Sequence, residues 1–94
     1  MNSILDCLDL NGKWEAKKGT VSQLVTLHQA QNTCNGTAYD DDGEKMWTYL
    51  ATFDEVRKKG NVEEVGEIVD EGLKIVWPIK TGAQTPEVYT ISYL

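Results

Sequence analysis

The sequence has no long hydrophobic run and little of the chemistry that most enzymes use. None of its segments approaches the roughly 20 consecutive apolar residues that a membrane-spanning helix requires. It has one histidine, His28, and two cysteines, Cys7 and Cys34, which lie in no paired metal-binding spacing. Glycine patterns that cradle a phosphate, such as GxGxxG, are also missing. We therefore expect no membrane span, no metal site and no cofactor.

Export signals are equally scarce in the sequence. Met1–Ser3 has no basic side chain, and Asp6 and Asp9 interrupt the apolar residues around them. We therefore predict a cytoplasmic protein in which Cys7 and Cys34 are reduced. In that setting the two cysteines are small buried residues. A single disulfide between the two is the alternative, because the sequence does not test the geometry that such a bond requires.

Positive charge is in short supply. Nine lysine and arginine residues face 15 acidic ones, so the formal net charge is -6. Such a field repels phosphate backbones and anionic lipid, which argues against nucleic-acid and membrane partners. The length of 94 residues predicts a single domain covering residues 1–94.

What the sequence does contain is a series of short strand patterns separated by turn signals. Turns recur about every 8–12 residues, and no segment has room for the helix of a parallel crossover. The pattern predicts an all-β fold, a small antiparallel up-and-down meander that closes into a barrel of about seven or eight strands. The predicted strands are 13–17, 21–29, 33–39, 45–53, 62–69, 73–80 and 88–94, with 56–59 either extending the fourth or starting another.

Two segments allow a second interpretation. Residues 1–10 form a short helical or irregular segment, because Ser3 can cap a helix whose apolar residues share one face. Residues 62–69 carry valines at helical spacing, so a helix stays open there. We favour a strand because Gly60 and Gly66 weaken a helix.

Alternation along the strands predicts which residues face the barrel interior. The opposite faces also carry apolar side chains. We expect these side chains to be covered either by the N-terminal segment or by a second subunit, and the second alternative predicts a homodimer. The expected interior residues are Val21, Val25, Leu27, Trp47, Tyr49, Ala51, Phe53, Leu73, Ile75, Trp77 and Ile79, and the apolar residues of the outer face are Leu24, Met46, Leu50, Val76 and Val88.

No constellation of residues predicts catalysis. His28 and Cys34 lie across a turn from each other, but no third group is evident to orient them. The acidic run at 40–44 resembles part of a calcium loop, yet it lacks the alternating ligands and fits a tight turn better. The acidic stretch 62–71 could attract a cation or a basic partner, and a solvated sheet edge is the favoured interpretation. We predict a protein that is not an enzyme.

Three segments resemble the calycin barrels, the group that includes lipocalins and avidins. Residues 9–14, Asp-Leu-Asn-Gly-Lys-Trp, look like the Gly-x-Trp opening of their first strand, while 35–39 and 73–77 are similar to later avidin strands. The resemblance implies a barrel. Biotin binding is not implied, because Ala16 stands near the place of an avidin asparagine, and the arginine that lipocalins carry near the last strand is missing.

Aromatic side chains are numerous for the chain length, and those that face a cavity are natural walls for an apolar ligand. The leading hypothesis is non-enzymatic binding of a small, partly apolar molecule, with Trp47, Tyr49, Trp77 and Tyr89 as wall residues and Trp14 closing one end. The alternative is a protein–protein interaction or homodimeric adaptor module. In that case the barrel is solid, and the outer apolar face and the acidic 62–71 stretch meet the partner.

Overall fold

Eight antiparallel strands follow one another around a closed barrel, each hydrogen-bonded to its neighbours in the sequence, and the last pairs with the first. This computed structural model describes residues 7–60, 64–77 and 89–94. The predicted all-β up-and-down barrel is confirmed, with eight strands. They are β1 (Gly12–Lys18), β2 (Val21–Gln29), β3 (Asn35–Tyr39), β4 (Lys45–Ala51), β5 (Glu55–Lys59), β6 (Glu64–Val69), β7 (Lys74–Trp77) and β8 (Tyr89–Tyr93).

Two of the open interpretations are settled by strand pairing. Residues 55–59 form a separate strand, β5, which pairs with both β4 and β6. The described part of the segment 62–69 is a strand and not a helix. Because β6 lies between β5 and β7 in a closed barrel, the acidic stretch is not a sheet edge, and that interpretation was wrong.

Helical structure is confined, within the described ranges, to one short 3₁₀ turn at Asp70–Gly72. Residues 7–11 have no regular structure, and the rest of the predicted N-terminal helical segment, residues 1–6, lies outside the described residues. The described part of the chain also contains no helix long and apolar enough to cross a membrane.

The inward faces of the strands form one core, as alternation predicts. Most of the expected interior residues are buried, and the exceptions have a common cause. Phe53 is 65% exposed and Leu73 is 55% exposed because each lies in a bend or turn beyond the end of its strand. Val21 is 67% exposed because it lies at the tip of the β1–β2 hairpin. Ile79 lies outside the described residues. The buried core residues are Leu10, Trp14, Ala16, Val25, Leu27, Ala38, Tyr49, Ala51, Val56, Ile75, Trp77 and Ile91.

The outer face keeps the apolar residues that the sequence predicts there. Leu24 and Met46 are exposed, Leu50 and Val76 are partly buried, and Val88 lies outside the described residues. The described N-terminal residues do not account for their cover, since Leu8 and Leu10 pack instead against the interior core. The homodimer stays a prediction.

Large rings fit inside this barrel because glycines lie beneath them. A Cβ on Gly36 would collide with the ring of Tyr49, its partner across β3 and β4. A Cβ on Gly66 would lie 2.7 Å from Cε2 of Trp77. Since both aromatic side chains are almost completely buried, neither ring has free space to move into.

A disulfide closes one end of the barrel. Cys7 and Cys34 are joined across a separation of 27 residues, which ties the N-terminal segment to the β2–β3 connection. The prediction of reduced thiols was therefore wrong, whereas the cytoplasmic location stays a prediction. Beside the disulfide, the side-chain amide of Gln29 accepts a hydrogen bond from the Leu10 N–H and donates one to the Leu8 carbonyl at 3.0 Å.

The Gly36→Ala substitution tests the packing of ring against glycine. We expect it to lower the free energy of unfolding by about 1–3 kcal/mol, the usual cost of overpacking a well-filled core. Urea denaturation measures the change. Gly60→Ala is the matched control, because an added Cβ there meets nothing within 4 Å. Equal stability of the two variants would contradict the proposed close fit.

Reducing the disulfide tests how strongly it stabilises the barrel. The loop that Cys7 and Cys34 close predicts a loss of about 3–4 kcal/mol, from the greater freedom of the reduced unfolded chain. Urea denaturation with and without reductant measures it. A double variant with serine at both positions should be insensitive to reductant, and an unchanged wild-type midpoint would contradict the expectation.

Candidate functional site

The two ends of the barrel are built differently. At the end where β1 begins and β8 ends, Leu10 is completely buried and accepts a hydrogen bond from Trp14 Nε1 at 3.0 Å. Trp14 also meets Tyr93 edge to face at 5.4 Å. We call this the closed end. The opposite end, where β5 and β7 finish and β6 and β8 begin, is called the mouth.

Three aromatic rings converge at the mouth. The Trp77 ring lies edge to face against Trp47 at 5.7 Å and against Tyr89 at 5.1 Å between centroids. Trp77 is 2% exposed, whereas Trp47 and Tyr89 are partly buried. The group therefore has one ring in the core and two that reach toward solvent.

A lysine ammonium sits among these rings. Lys58 Nζ is 4.6 Å from the ring centroid of Trp47, 4.3 Å from that of Trp77 and 4.5 Å from that of Tyr89. Each distance is within the range of a cation–π interaction. The side chain of Lys58 is 16% exposed, so its charge is held mainly by the protein.

The position of Lys58 follows from the alternation of β5. Val56 points inward and is completely buried, so the residue two positions further on shares its face. Strand pairing sets Lys58 beside Tyr49 on β4 and Glu64 on β6. Glu64 Oε2 lies 4.0 Å from Lys58 Nζ, a long ion pair at the solvent side of the cluster.

A buried donor without an acceptor lies in the same cluster. Trp77 Nε1 is inaccessible to solvent and has no hydrogen-bond partner among the described residues. The indole N–H can only donate. Lys58 cannot satisfy it, because an ammonium has no acceptor. Tyr49 Oη is likewise buried without a partner, deeper in the barrel.

A shallow depression of about 290 Å³ adjoins the aromatic cluster. Tyr89 belongs to both. The depression is otherwise lined by residues at the far end of the β1–β2 hairpin, where the barrel wall extends beyond the packed core. They are Ala16, Lys18, Thr20, Val21 and Gln23.

The predicted wall residues lie in three places. Trp47, Trp77 and Tyr89 come together at the mouth. Tyr49 packs edge to face against Trp47 at 5.9 Å, but it is completely buried and forms part of the floor. Trp14 lies at the closed end and contributes nothing to the mouth.

Sequence reasoning missed Lys58 and Glu64. The inward direction of Lys58 could have been predicted from the sequence. Val56 and Lys58 are two residues apart in the same strand, with the charged Arg57 between them, so they share a face. No sequence pattern indicates that the ammonium would lie among three rings. That arrangement depends on the pairing of β4 with β5 and of β7 with β8.

The other candidates from the sequence form no site. Cys34 is held in the disulfide and has no free thiol for catalysis, and His28 is exposed on the outer face. Within the described ranges, no group of three or more histidine, cysteine or acidic residues is placed to hold a metal ion. The chain matches no protein-family model, no curated protein sequence and no solved structure.

The pKa of Tyr89 tests the electrostatics of the mouth. Burial raises this pKa above its ordinary value, and the nearby Glu64 carboxylate raises it further, because both disfavour the phenolate. We expect Glu64→Gln to lower the Tyr89 pKa part of the way, as followed by ultraviolet absorbance during an alkaline titration. Glu67→Gln, on the outer face, is the control and should leave it unchanged.

The raised pKa of Tyr89 also predicts how the free energy of unfolding changes at alkaline pH. The folded-state pKa of Tyr89 is raised, so its contribution to stability is complete below the unfolded pKa of about 10 and is lost as the pH rises through the folded value. Burial raises the pKa of Tyr49 in the same direction. A free energy of unfolding that rose with pH in this range would contradict the assignment.

Proposed function

We propose that the barrel binds a small, partly apolar molecule at its mouth, without catalysis. The observation that carries the proposal is the convergence of Trp47, Trp77 and Tyr89 around Lys58 at one end of a barrel whose other end is closed. Two of these rings are partly exposed and offer flat apolar surface beside a fixed charge. Such a mixture is typical of small-molecule sites, where apolar walls bind and a few polar groups orient.

The filled interior supports a ligand position at the mouth rather than deep in the barrel. Tyr49, Ile75 and Ile91 are completely buried across the middle of the core. An eight-stranded barrel is just wide enough for its own side chains or for one small ligand. Here the side chains occupy the middle, so the ligand contacts the Trp47 and Tyr89 rings and the adjoining depression.

We also propose kinship with the calycin barrels. The features in favour are the closed up-and-down antiparallel barrel and the Gly-Lys-Trp opening of β1. Gly12 has a φ of 138°, and the Tyr93 ring leaves no room for a Cβ there, so glycine is required. Trp14, two residues on, seals the closed end.

A groove on the outer face favours the interaction module as a second candidate. It has a volume of about 310 Å³ and lies across β5, β6 and β7. Val65 and Val76 supply apolar surface, and Asp54, Glu55 and Glu67 supply negative charge. This combination suits a basic segment with apolar side chains, or a second copy of the chain presenting its own exposed apolar residues.

Titration with the neutral dye N-phenyl-1-naphthylamine tests the mouth as a binding site. We expect saturable dye fluorescence, and an affinity about tenfold lower in Trp47→Ala, because the variant removes an aromatic wall. Phe53→Ala is the matched control, since Phe53 is an exposed aromatic residue outside the mouth and its loss should leave binding unchanged.

Light scattering on the same samples separates the two candidates. Saturable binding that depends on Trp47, whatever the oligomeric state, supports the mouth site. A dimer that binds no dye would contradict the proposal and favour the interaction module. Circular dichroism of each variant establishes that the barrel is retained.

A further inference from the structure

The aromatic cluster of the mouth, formed by Trp47, Trp77 and Tyr89, already holds an ammonium group. Lys58 Nζ lies between 4.3 and 4.6 Å from the three ring centroids. Rings grouped in this way attract a cation through the negative potential of their faces. The lysine of the chain itself therefore indicates the chemistry that the cluster binds, which is a positively charged nitrogen.

A primary ammonium is not the best occupant of this position. It carries three N–H donors, whereas ring faces attract its charge but accept hydrogen bonds only weakly. The Lys58 side chain is 16% exposed, so most of its surface has lost contact with water. A quaternary ammonium has no N–H group to satisfy, and its methyl groups add apolar contact with the rings. The cluster therefore suits a quaternary ammonium better than a primary one.

Lys58 has a second place for its charge. Strand pairing sets it opposite Glu64 on β6, and Glu64 Oε2 lies 4.0 Å from Lys58 Nζ. The Glu64 side chain is 29% exposed, on the solvent side of the cluster. A rotation of the flexible lysine stem toward Glu64 and solvent keeps the charge compensated. The same rotation uncovers the ring face of Trp77 on which the ammonium lies.

The charge of the chain favours a cationic ligand over an anionic one. The formal net charge is -6, which attracts cations and repels anions at long range. The acidic turn 40–44, which joins β3 to β4, lies at the end of the barrel that carries the mouth. A displaced Lys58 that is paired with Glu64 also repels the ligand less than a bare ammonium would.

We infer that the molecule bound at the mouth is a quaternary ammonium compound, whose cationic head takes the place of the Lys58 ammonium among the three rings. This inference rests on the proposed function. Lys58 then moves toward Glu64, and the rest of the ligand lies in the adjoining depression beside Tyr89. Because Lys58 competes within the molecule, the apparent affinity is the intrinsic affinity multiplied by the fraction of molecules in which the lysine has left the rings.

Three small compounds test the inference: choline, its neutral isostere 3,3-dimethyl-1-butanol, and its primary ammonium counterpart ethanolamine. Calorimetry on the full chain measures each affinity. We expect choline to bind about tenfold more tightly than the isostere, which has the same shape without the charge. Ethanolamine should bind most weakly, because its N–H donors lose water and its head makes less apolar contact with the rings.

The Lys58→Ala variant tests the competition. We expect it to raise the affinity for choline about tenfold, because the variant has no lysine to displace from the rings. Lys59→Ala is the matched control, since it makes the same change of charge on the outward face, where Lys59 bonds to Asn35 Oδ1 at 2.9 Å. It should leave the affinity unchanged. Circular dichroism establishes that each variant keeps the barrel.

Nuclear magnetic resonance of the unmodified chain gives a readout that needs no variant. The ring currents of the aromatic cluster should shift the Lys58 side-chain methylene protons upfield, because the end of this side chain lies over three ring faces. Saturation with choline should return these signals toward the ordinary lysine values as Lys58 leaves the rings. The methylene signals of Lys59, on the outward face, should not move.

The outcomes distinguish the inference from the proposed function. If dye binding depends on Trp47 but choline binds no better than its isostere or ethanolamine, the quaternary ammonium is overturned and the mouth remains a binding site. Lys58 signals that stay shifted at saturating choline, or a folded Lys58→Ala variant without higher affinity, would overturn the displacement. Binding of neither dye nor choline would overturn both proposals. Preference for choline that increases in Lys58→Ala supports both.

Discussion

The hydrogen bonds between β1 and β8 close the sheet into a barrel, and the packing of the interior depends on that closure. This pairing sets Ala16 opposite Ile91 and Lys18 opposite Tyr89, and it turns a meander into a closed barrel. Closure leaves no unpaired strand edge. It also fixes the interior volume, so every large side chain that points inward must be matched by a small one elsewhere in the barrel.

The distribution of aromatic residues follows from that fixed volume. Tyr49 lies over Gly36, and Trp77 lies over Gly66, because only glycine leaves space for a ring beneath the neighbouring strand. The middle of the barrel is then full. The other inward-facing rings of the described strands lie near the two ends, Trp14 with Tyr93 at one and Trp47 with Tyr89 at the other. Among the described residues, Leu10 and the disulfide cover the first end.

Lys58 is the unusual member of the interior. Burying most of an ammonium is unfavourable unless its charge is compensated. Three ring faces within 4.6 Å, together with the carboxylate of Glu64, supply that compensation. A polar group placed at the end of an otherwise apolar core can also give a ligand its orientation, which connects the packing of this barrel to its proposed role.

Local sequence determined the strands, most of the interior residues and the antiparallel order. Alternation, turn residues and short spacings act between near neighbours, and this is enough to predict a meander that closes. It also placed Trp47, Trp77 and Tyr89 among the candidate wall residues. It could not indicate that Phe53, Val21 and Leu73 lie beyond the packed core, because the point where a strand leaves the barrel depends on its partners.

Tertiary structure alone decided the pairing of Cys7 with Cys34, the burial of Tyr49 in the floor and the position of the Lys58 ammonium among three rings. Each depends on residues from strands that are distant in the sequence. Their distances are set by register and by barrel closure, which no local pattern contains. The physical reason is that the alternation within one strand determines whether a side chain points inward. Which side chains it then contacts depends on the register of all eight strands.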